Sequence, residues 1–173
     1  MIDKPSNILL GFAIGDALGM PFESLNPNSD KIKKWDGKSF LESEFLGLSA
    51  GNTTDDTSMS LALAKTLIKS KCYDPISAAK SYLTWYENNP KGIGSITKGA
   101  MENLKNFKPW YLAGQYLDGL SKPGNGPLMR VVPTVIFYAN LINIQPQIRK
   151  YYMLESIYLD SIITHKHPKD LTY

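Results

Sequence analysis

The chain has 173 residues, of which 43% are hydrophobic and 20% charged, the proportions of one ordinary globular domain long enough to bury a core. Those figures exclude disordered, collagen-like and disulfide-stapled chains, and the single cysteine, Cys72, can form no internal disulfide. A net charge of +3, from 19 basic and 16 acidic side chains, is too weak a bias to point to nucleic acid or an anionic membrane.

The helical period runs through nearly the whole sequence. A first helix, capped by Ser6, carries Ile8, Leu9, Phe12, Ala13 and Ile14 at its apolar positions. It sets Gly11, Gly15 and Gly19 on one face, a spacing that lets another backbone approach, and Pro21 ends it. The apolar run from Ile8 to Leu18 contains Asp16 and falls short of the roughly 18–20 residues of a membrane span. With no basic leader or small-residue cleavage site before it, a soluble, cytoplasmic chain is expected. Residues 24–53 are polar, with turn signals at Asn26-Pro27 and Asp36-Gly37, and read as a long lid or binding loop.

A second helix is predicted from about Asp56 to Ser70, burying Met59, Ala62, Leu63 and Leu67. A third opens at Asp74-Pro75 and buries Ala78, Ala79, Tyr82, Leu83 and Tyr86. Gly92, Gly94 and Gly99 lead into a short helix over Ala100 to Phe107, and the segment from Pro123 to Pro127 is the sharpest break in the chain. A helix begun or broken at Pro133 reaches about Leu141, and a last one runs from about Gln147 to Ile163. Strand patterns are nearly absent, so the predicted class is all-α.

Five places offer chemistry. Thr53-Thr54-Asp55-Asp56-Thr57 collects hard oxygen donors that suit Mg²⁺, Ca²⁺ or Mn²⁺ better than zinc. The same residues also read as a helix N-cap with carboxylates complementing the dipole. Gly124-Asn125-Gly126-Pro127, ahead of a helix, presents backbone amides to a phosphate or carboxylate, or forms a plain turn. Gly92 to Thr97 is a second glycine loop opening a helix. Thr164-His165-Lys166-His167-Pro168 admits a metal pair or a polar helix end favoured by the C-terminal dipole. Asp16 and Glu23 flank Gly19-Met20-Pro21, and Asp16, an acid inside an apolar helix, requires a partner. A nucleophile elbow, a phosphate loop ending in Gly-Lys-Ser/Thr and a His-Glu-x-x-His helix are all missing from the sequence.

Taken in order, Gly11-Phe-Ala-Ile-Gly-Asp-Ala-Leu-Gly-Met-Pro-Phe-Glu23, Thr54-Asp-Asp-Thr-Ser-Met59, Gly124-Asn-Gly-Pro-Leu-Met-Arg130 with Pro133, and Thr164-His165 resemble the ADP-ribosylglycohydrolase family. The resemblance runs from residue 11 to residue 165. It implies an orthogonal multi-helix bundle with two divalent ions, Mg²⁺ or Mn²⁺, in a central cleft. Thr54, Asp55 and Asp56 match the family's first metal-ligand set, and Glu23 matches a flap glutamate near the metals. Gly94-Ser95-Ile96 and Gly124-Asn125-Gly126 with Met129 match loops that hold ADP-ribose, and Thr164-His165 falls where the diphosphate is contacted.

The implied activity is removal of ADP-ribose from a modified protein, or from a small molecule containing ADP-ribose, by cleavage of an N- or O-glycosidic bond. A cation pair orients ribose hydroxyls and acidifies a bound water. That water attacks the anomeric carbon as positive charge builds there, and Glu23 or Asp56 manages the proton. The family's second metal motif, Gly-x-Asp-x-Asp-Thr, has no copy here. Eight residues follow His165, none of them glycine, and Asp160 and Asp170 lack the right neighbours.

Residues 1–173 are therefore expected to form the N-terminal part of such a domain, with the ions at most partly liganded. Its apolar face would be left for a complementing C-terminal chain or for self-association. The alternative is a catalytically inactive remnant that binds ADP-ribose or a nucleotide. A third reading is a helical interaction module whose carboxylates only cap a helix. Neither nucleic acid nor a membrane is an expected partner.

Overall fold

Side-chain caps open two of the helices, at Thr54 and Asp74, in the computed structural model, which describes residues 4–115, 124–141 and 143–165. Helix α1 spans Lys4–Gly19, and a single 3₁₀ turn over Met20–Phe22 places Pro21 in its first positions. Ser6 lies inside α1 rather than capping it. Helix α2, Asp30–Lys33, is one turn within the long 24–53 loop. In that loop Asp36 accepts from the Lys38 and Ser39 amides, and Phe22 packs on Trp35 with ring centroids 4.8 Å apart.

Helix α3, Asp55–Ser70, is capped by Thr54 and stops at Lys71, a left-handed residue with φ 58°. Helix α4, Pro75–Glu87, is capped by the Asp74 carboxylate, which accepts from the Ile76 and Ser77 amides, with Pro75 in its first turn. Helix α5, Ser95–Lys105, starts at Gly94, well ahead of the predicted Ala100. Gly99, expected in the loop ahead of this helix, sits within α5. Its cost of about 1 kcal/mol against alanine is offset by the burial of Thr97, Ala100 and Met101. Short helices α6, Trp110–Ala113, and α7, Gly126–Met129, are followed by α8, Val131–Ala139, and α9, Pro146–Thr164. Among the described residues the sole β-type pairing is an isolated bridge between Ser43 and Leu48, so the fold is all-α as expected.

Helix α3 lies between α4 and α8, and α9 packs across α6 and α8. Met59, Leu63 and Leu67, spaced one turn apart on α3, meet Ala78, Ala79 and Tyr82 of α4, Ala100 and Met101 of α5, and Met129 and Ile163 in one core. Ala62 and Tyr86 pack against that core from half-buried positions. Helix α1 buries only Ala17 completely, leaving Ile8, Leu10 and Ile14 exposed, and α9 leaves Ile148, Tyr151, Tyr152, Leu154 and Tyr158 exposed. No helix among the described residues is long and apolar enough to cross a membrane.

Candidate active site

The N-termini of α3 and α5, the flank of α1, the loop before α7 and the end of α9 surround a cavity of about 800 Å³, within the usual range for small-molecule sites. Glu23, Thr54, Asp55, Asp56, Gly94, Ser95, Ile96, Gly124, Asn125, Gly126, Met129 and His165 all line it. The residues to which the motifs assign a metal, proton-transfer or ADP-ribose role therefore border one space. Gly11, Gly15 and Gly19 line it too, and a Cβ added at any of them would meet nothing within 4 Å. Among the described residues no other backbone comes close to this stripe, contrary to expectation. The missing side chains widen the cavity instead.

One wall is acidic. Asp16 accepts from the Thr54 amide at 3.0 Å, the Thr54 hydroxyl at 2.8 Å, the Thr57 amide at 3.1 Å and the Thr57 hydroxyl at 2.6 Å. Those four bonds supply the partner that an acid in an apolar helix needs, and they lock α1 to the first turn of α3. Thr54 also accepts the Asp56 amide at 3.4 Å, so the capping and donor-cluster readings of this segment describe the same residues. The Asp55 carboxyl is pushed up to about 7, first by desolvation and then by Asp56 and Glu23, while the Gly94 amide donates to it. Desolvation followed by Asp16 raises Asp56. Glu23, on the exposed rim, is raised by desolvation, Asp56 and Asp16.

Gly94 is thus engaged with Asp55, bracing the acidic segment from the α5 side. Carboxylates that discourage one another's ionisation are suited to a hard cation, which would favour the charged forms. In donor chemistry Thr54, Asp55 and Asp56 fit Mg²⁺ or Mn²⁺. They form one open side of such a site, because no group of three His, Cys, Asp or Glu is placed to hold a metal among the described residues.

The opposite wall is built from glycine and histidine. At Gly124 a Cβ would stand 2.8 Å from His165 Nε2, and at Gly126 one would stand 2.8 Å from His165 Cε1. These glycines leave room for the imidazole as well as for a ligand. His165 is buried, and burial followed by the Arg130 cation pushes it down to about 3. It is therefore a neutral ring, not the charged helix end that the C-terminal dipole suggested. Lys166, His167 and Pro168, with Pro123 and Asp170, lie outside the described residues.

The titration of His165 has a consequence for stability. An unfolded histidine takes up its proton near pH 6.5, whereas the folded ring resists until about pH 3. The unfolded histidine is the one that binds the proton in that window, so His165 by itself lowers stability as pH drops, by at most about 1.4 kcal/mol per pH unit, while the raised Asp55 acts in the opposite direction. Denaturant midpoints between pH 7 and 5 in wild type and His165→Asn isolate the histidine's part, and the variant should gain stability relative to wild type as pH falls. A difference between the two that does not change with pH would mean the ring charges freely in the fold.

Behind this wall lies a pairing that the sequence motifs, though one of them ends on Arg130, did not reveal. Arg130 is fully buried and its Nε donates to Asp160 Oδ2 at 2.6 Å. Asp160 also accepts from the Tyr82 hydroxyl at 2.8 Å and the Tyr73 hydroxyl at 3.2 Å. The guanidinium sits 5.2 Å from the Tyr82 ring centroid, and its Nη1 donates to the Gly126 carbonyl at 3.1 Å. Ser60 donates to the Met129 carbonyl at 2.8 Å, tying α7 to α3. The available signal was the period of α9, where Ser156, Asp160, Ile163 and Thr164 share the buried face.

Comparison with known proteins gives a consistent picture. The sequence model of the family described as ADP-ribosylglycohydrolase matches residues 2–173. ADP-ribosylarginine hydrolase Tri1 from Pseudomonas putida is 34% identical over 146 residues, covering 79% of this chain and 36% of that protein. ADP-ribosylhydrolase ARH3 from Danio rerio is 28% identical over 159 residues, covering 87% of this chain and 40% of that protein. A solved structure described as an ADP-ribosylglycohydrolase-related protein complex superposes with a TM-score of 0.69 at 30% identity, over 94% of this chain and 49% of that one. The chain spans half or less of the length of these relatives.

Proposed function

The chain belongs to the ADP-ribosylglycohydrolase family, and from that premise we propose that it supplies the substrate cavity of a hydrolase that removes ADP-ribose from a modified protein or another ADP-ribosyl acceptor. The observation that carries this reading is the two-walled cavity, with carboxylates and Thr54 on one side and the Gly124–Gly126 loop and His165 on the other. Thr54, Asp55 and Asp56 would hold Mg²⁺ or Mn²⁺. When bound, such an ion orients ribose hydroxyls and makes a water more acidic.

The chain's own residues account for the remaining roles. Asp16 fixes the first turn of α3 and so the direction of the donor set. Backbone groups of the two glycine loops bind the diphosphate and hold the anomeric carbon toward the acidic wall. Glu23, raised and on the rim, accepts or returns the proton as the N- or O-glycosidic bond breaks.

A second reading, a binder of ADP-ribose without hydrolysis, is favoured by the open donor set. A complementing chain of the family's fold would cover the exposed apolar side chains of α1 and α9, with self-association as the other possibility. A cytoplasmic setting suits the exposed free thiol of Cys72.

Calorimetric titration with ADP-ribose, with and without Mg²⁺, tests the reading, with the mass of the same sample followed by light scattering. Binding is expected to strengthen with Mg²⁺ and to weaken at least about tenfold in Asp55→Ala, the loss of roughly one good charged contact. A release assay on mono-ADP-ribosylated protein then separates hydrolase from binder. Absence of binding under both conditions overturns both readings, and release that survives Asp55→Ala removes the acidic wall from the mechanism. A mass of one chain, 19.3 kDa, with and without ligand, counts against self-association.

A further inference from the structure

Hydrogen-bond arithmetic at Thr164 fixes more than packing. The Thr164 hydroxyl oxygen accepts from Arg130 Nη2 at 2.7 Å and lies 2.7 Å from His165 Nδ1. A helical threonine ordinarily passes its own proton to the carbonyl one turn back. Here that carbonyl, of Asp160, already accepts from Arg130 Nη2 at 2.9 Å. The hydroxyl makes no bond to that carbonyl, and among the described residues the acceptor within reach of its proton is His165 Nδ1; an unprotonated Nδ1, with the ring proton on Nε2, is the arrangement that leaves no buried donor unmet. A guanidinium can only donate, so the hydroxyl accepts on the Arg130 side and its own proton is left for the histidine side.

The Nε2 edge lies against Gly124 on the cavity wall. We propose that Arg130 and Thr164 are positioning residues that hold His165 as the uncharged Nε2–H tautomer, a fixed donor to an anionic group lodged at the Gly124–Gly126 loop. That the anion is the diphosphate of ADP-ribose rests on the function proposed above; the tautomer does not. The opposite tautomer would turn a lone pair toward the anion and repel it. Two charged side chains stand behind the ring, Arg130 at the α7–α8 junction and Asp160 on α9, and they are paired with each other. The same guanidinium holds the Gly126 carbonyl, so one buried side chain sets both the loop and the histidine that faces it.

Nitrogen-15 NMR on the ligand-free 173-residue chain at pH 7 reads the tautomer directly. Only two histidines are present, and a His167→Asn variant assigns the spectrum. Wild type is expected to show an unprotonated Nδ1 and a protonated Nε2. Thr164→Val should release the ring to the Nδ1–H form or a mixture and weaken ADP-ribose binding about tenfold, the worth of one well-placed hydrogen bond. Thr164→Ser should restore both.

An Nδ1–H tautomer in wild type overturns the proposal, and so does a Thr164→Val protein whose ring nitrogens are unmoved. Should the valine variant fail to fold, the wild-type spectrum decides alone. Wild type that shows Nε2–H yet ignores ADP-ribose counts against the assigned ligand and leaves the positioning role standing.

Discussion

Replacing Asp160 by alanine is expected to lower the unfolding free energy by about 3–5 kcal/mol, the cost of stranding a buried charge. Arg130 is fully buried, and no other carboxylate is within ion-pair distance of it among the described residues. The Tyr82 and Tyr73 hydroxyls would lose their acceptor at the same time, and each unmet buried donor adds its own desolvation penalty. The two phenols are held well above the ordinary tyrosine range, first by burial and then by the Asp160 charge. They remain neutral donors and cannot compensate the cation. Asp160→Asn keeps the volume but gives up the charge and should also be costly.

The informative companion is Arg130→Met with Asp160→Leu. Removing both charges leaves no orphan, so the double variant should recover most of the loss. Urea denaturation of wild type, Arg130→Met, Asp160→Leu and the double variant measures the cycle. A loss below about 1 kcal/mol for Asp160→Ala would mean that water reaches the guanidinium, against its burial here. The double variant should stay folded yet lose the posts that fix Gly126 and His165, separating the pair's part in stability from its part in shaping the cavity.

The legible parts of the fold were those where two local signals coincide. At Thr54–Asp55 and at Asp74-Pro75 a capping side chain precedes an apolar stripe of helical period, and the helices begin there. At α5 the signals conflict, because Gly99 reads as loop while Thr97, Ala100 and Met101 supply a buried face, and packing prevails over propensity. Helix α6, four residues long, has no room to show a period. The site follows the same rule. Thr54–Asp56 and Gly124–Gly126 are contiguous, so their chemistry could be read in place. Pairings between distant positions could not. Asp16 announced that it needed a partner, but nothing local named Thr54 and Thr57. Asp160, between Leu159 and Ser161, reads as an ordinary surface acid until the buried face of α9 is known.

The glycines divide into two kinds that the sequence does not distinguish, and substitution should separate them. At Gly114 a Cβ would stand 2.5 Å from the His165 nitrogen, 2.5 Å from the Thr164 carbonyl carbon and 2.9 Å from the Thr164 oxygen. All three are backbone atoms, so no rotamer change can relieve the contact. The φ of −82° and ψ of −5° at Gly114 suit alanine well, so the cost is purely steric. Asn103 Nδ2 holds the preceding carbonyl of Ala113 at 2.7 Å, which stops α6 from simply backing away. Gly114→Ala is expected to cost about 3 kcal/mol or more, at the upper end for overpacking, and to displace His165 from the glycine loop. Thermal unfolding and ADP-ribose titration should then fall together.

Gly15→Ala on α1 should behave in the opposite way. Its Cβ meets nothing within 4 Å among the described residues, and alanine favours the helix by up to about 1 kcal/mol, so the melting temperature should hold or rise. The added methyl enters the cavity beside Asp16, and binding alone should weaken. Equal losses of stability in the two variants would mean that the α1 stripe is packed after all, and that the cavity between it and His165 closes in solution.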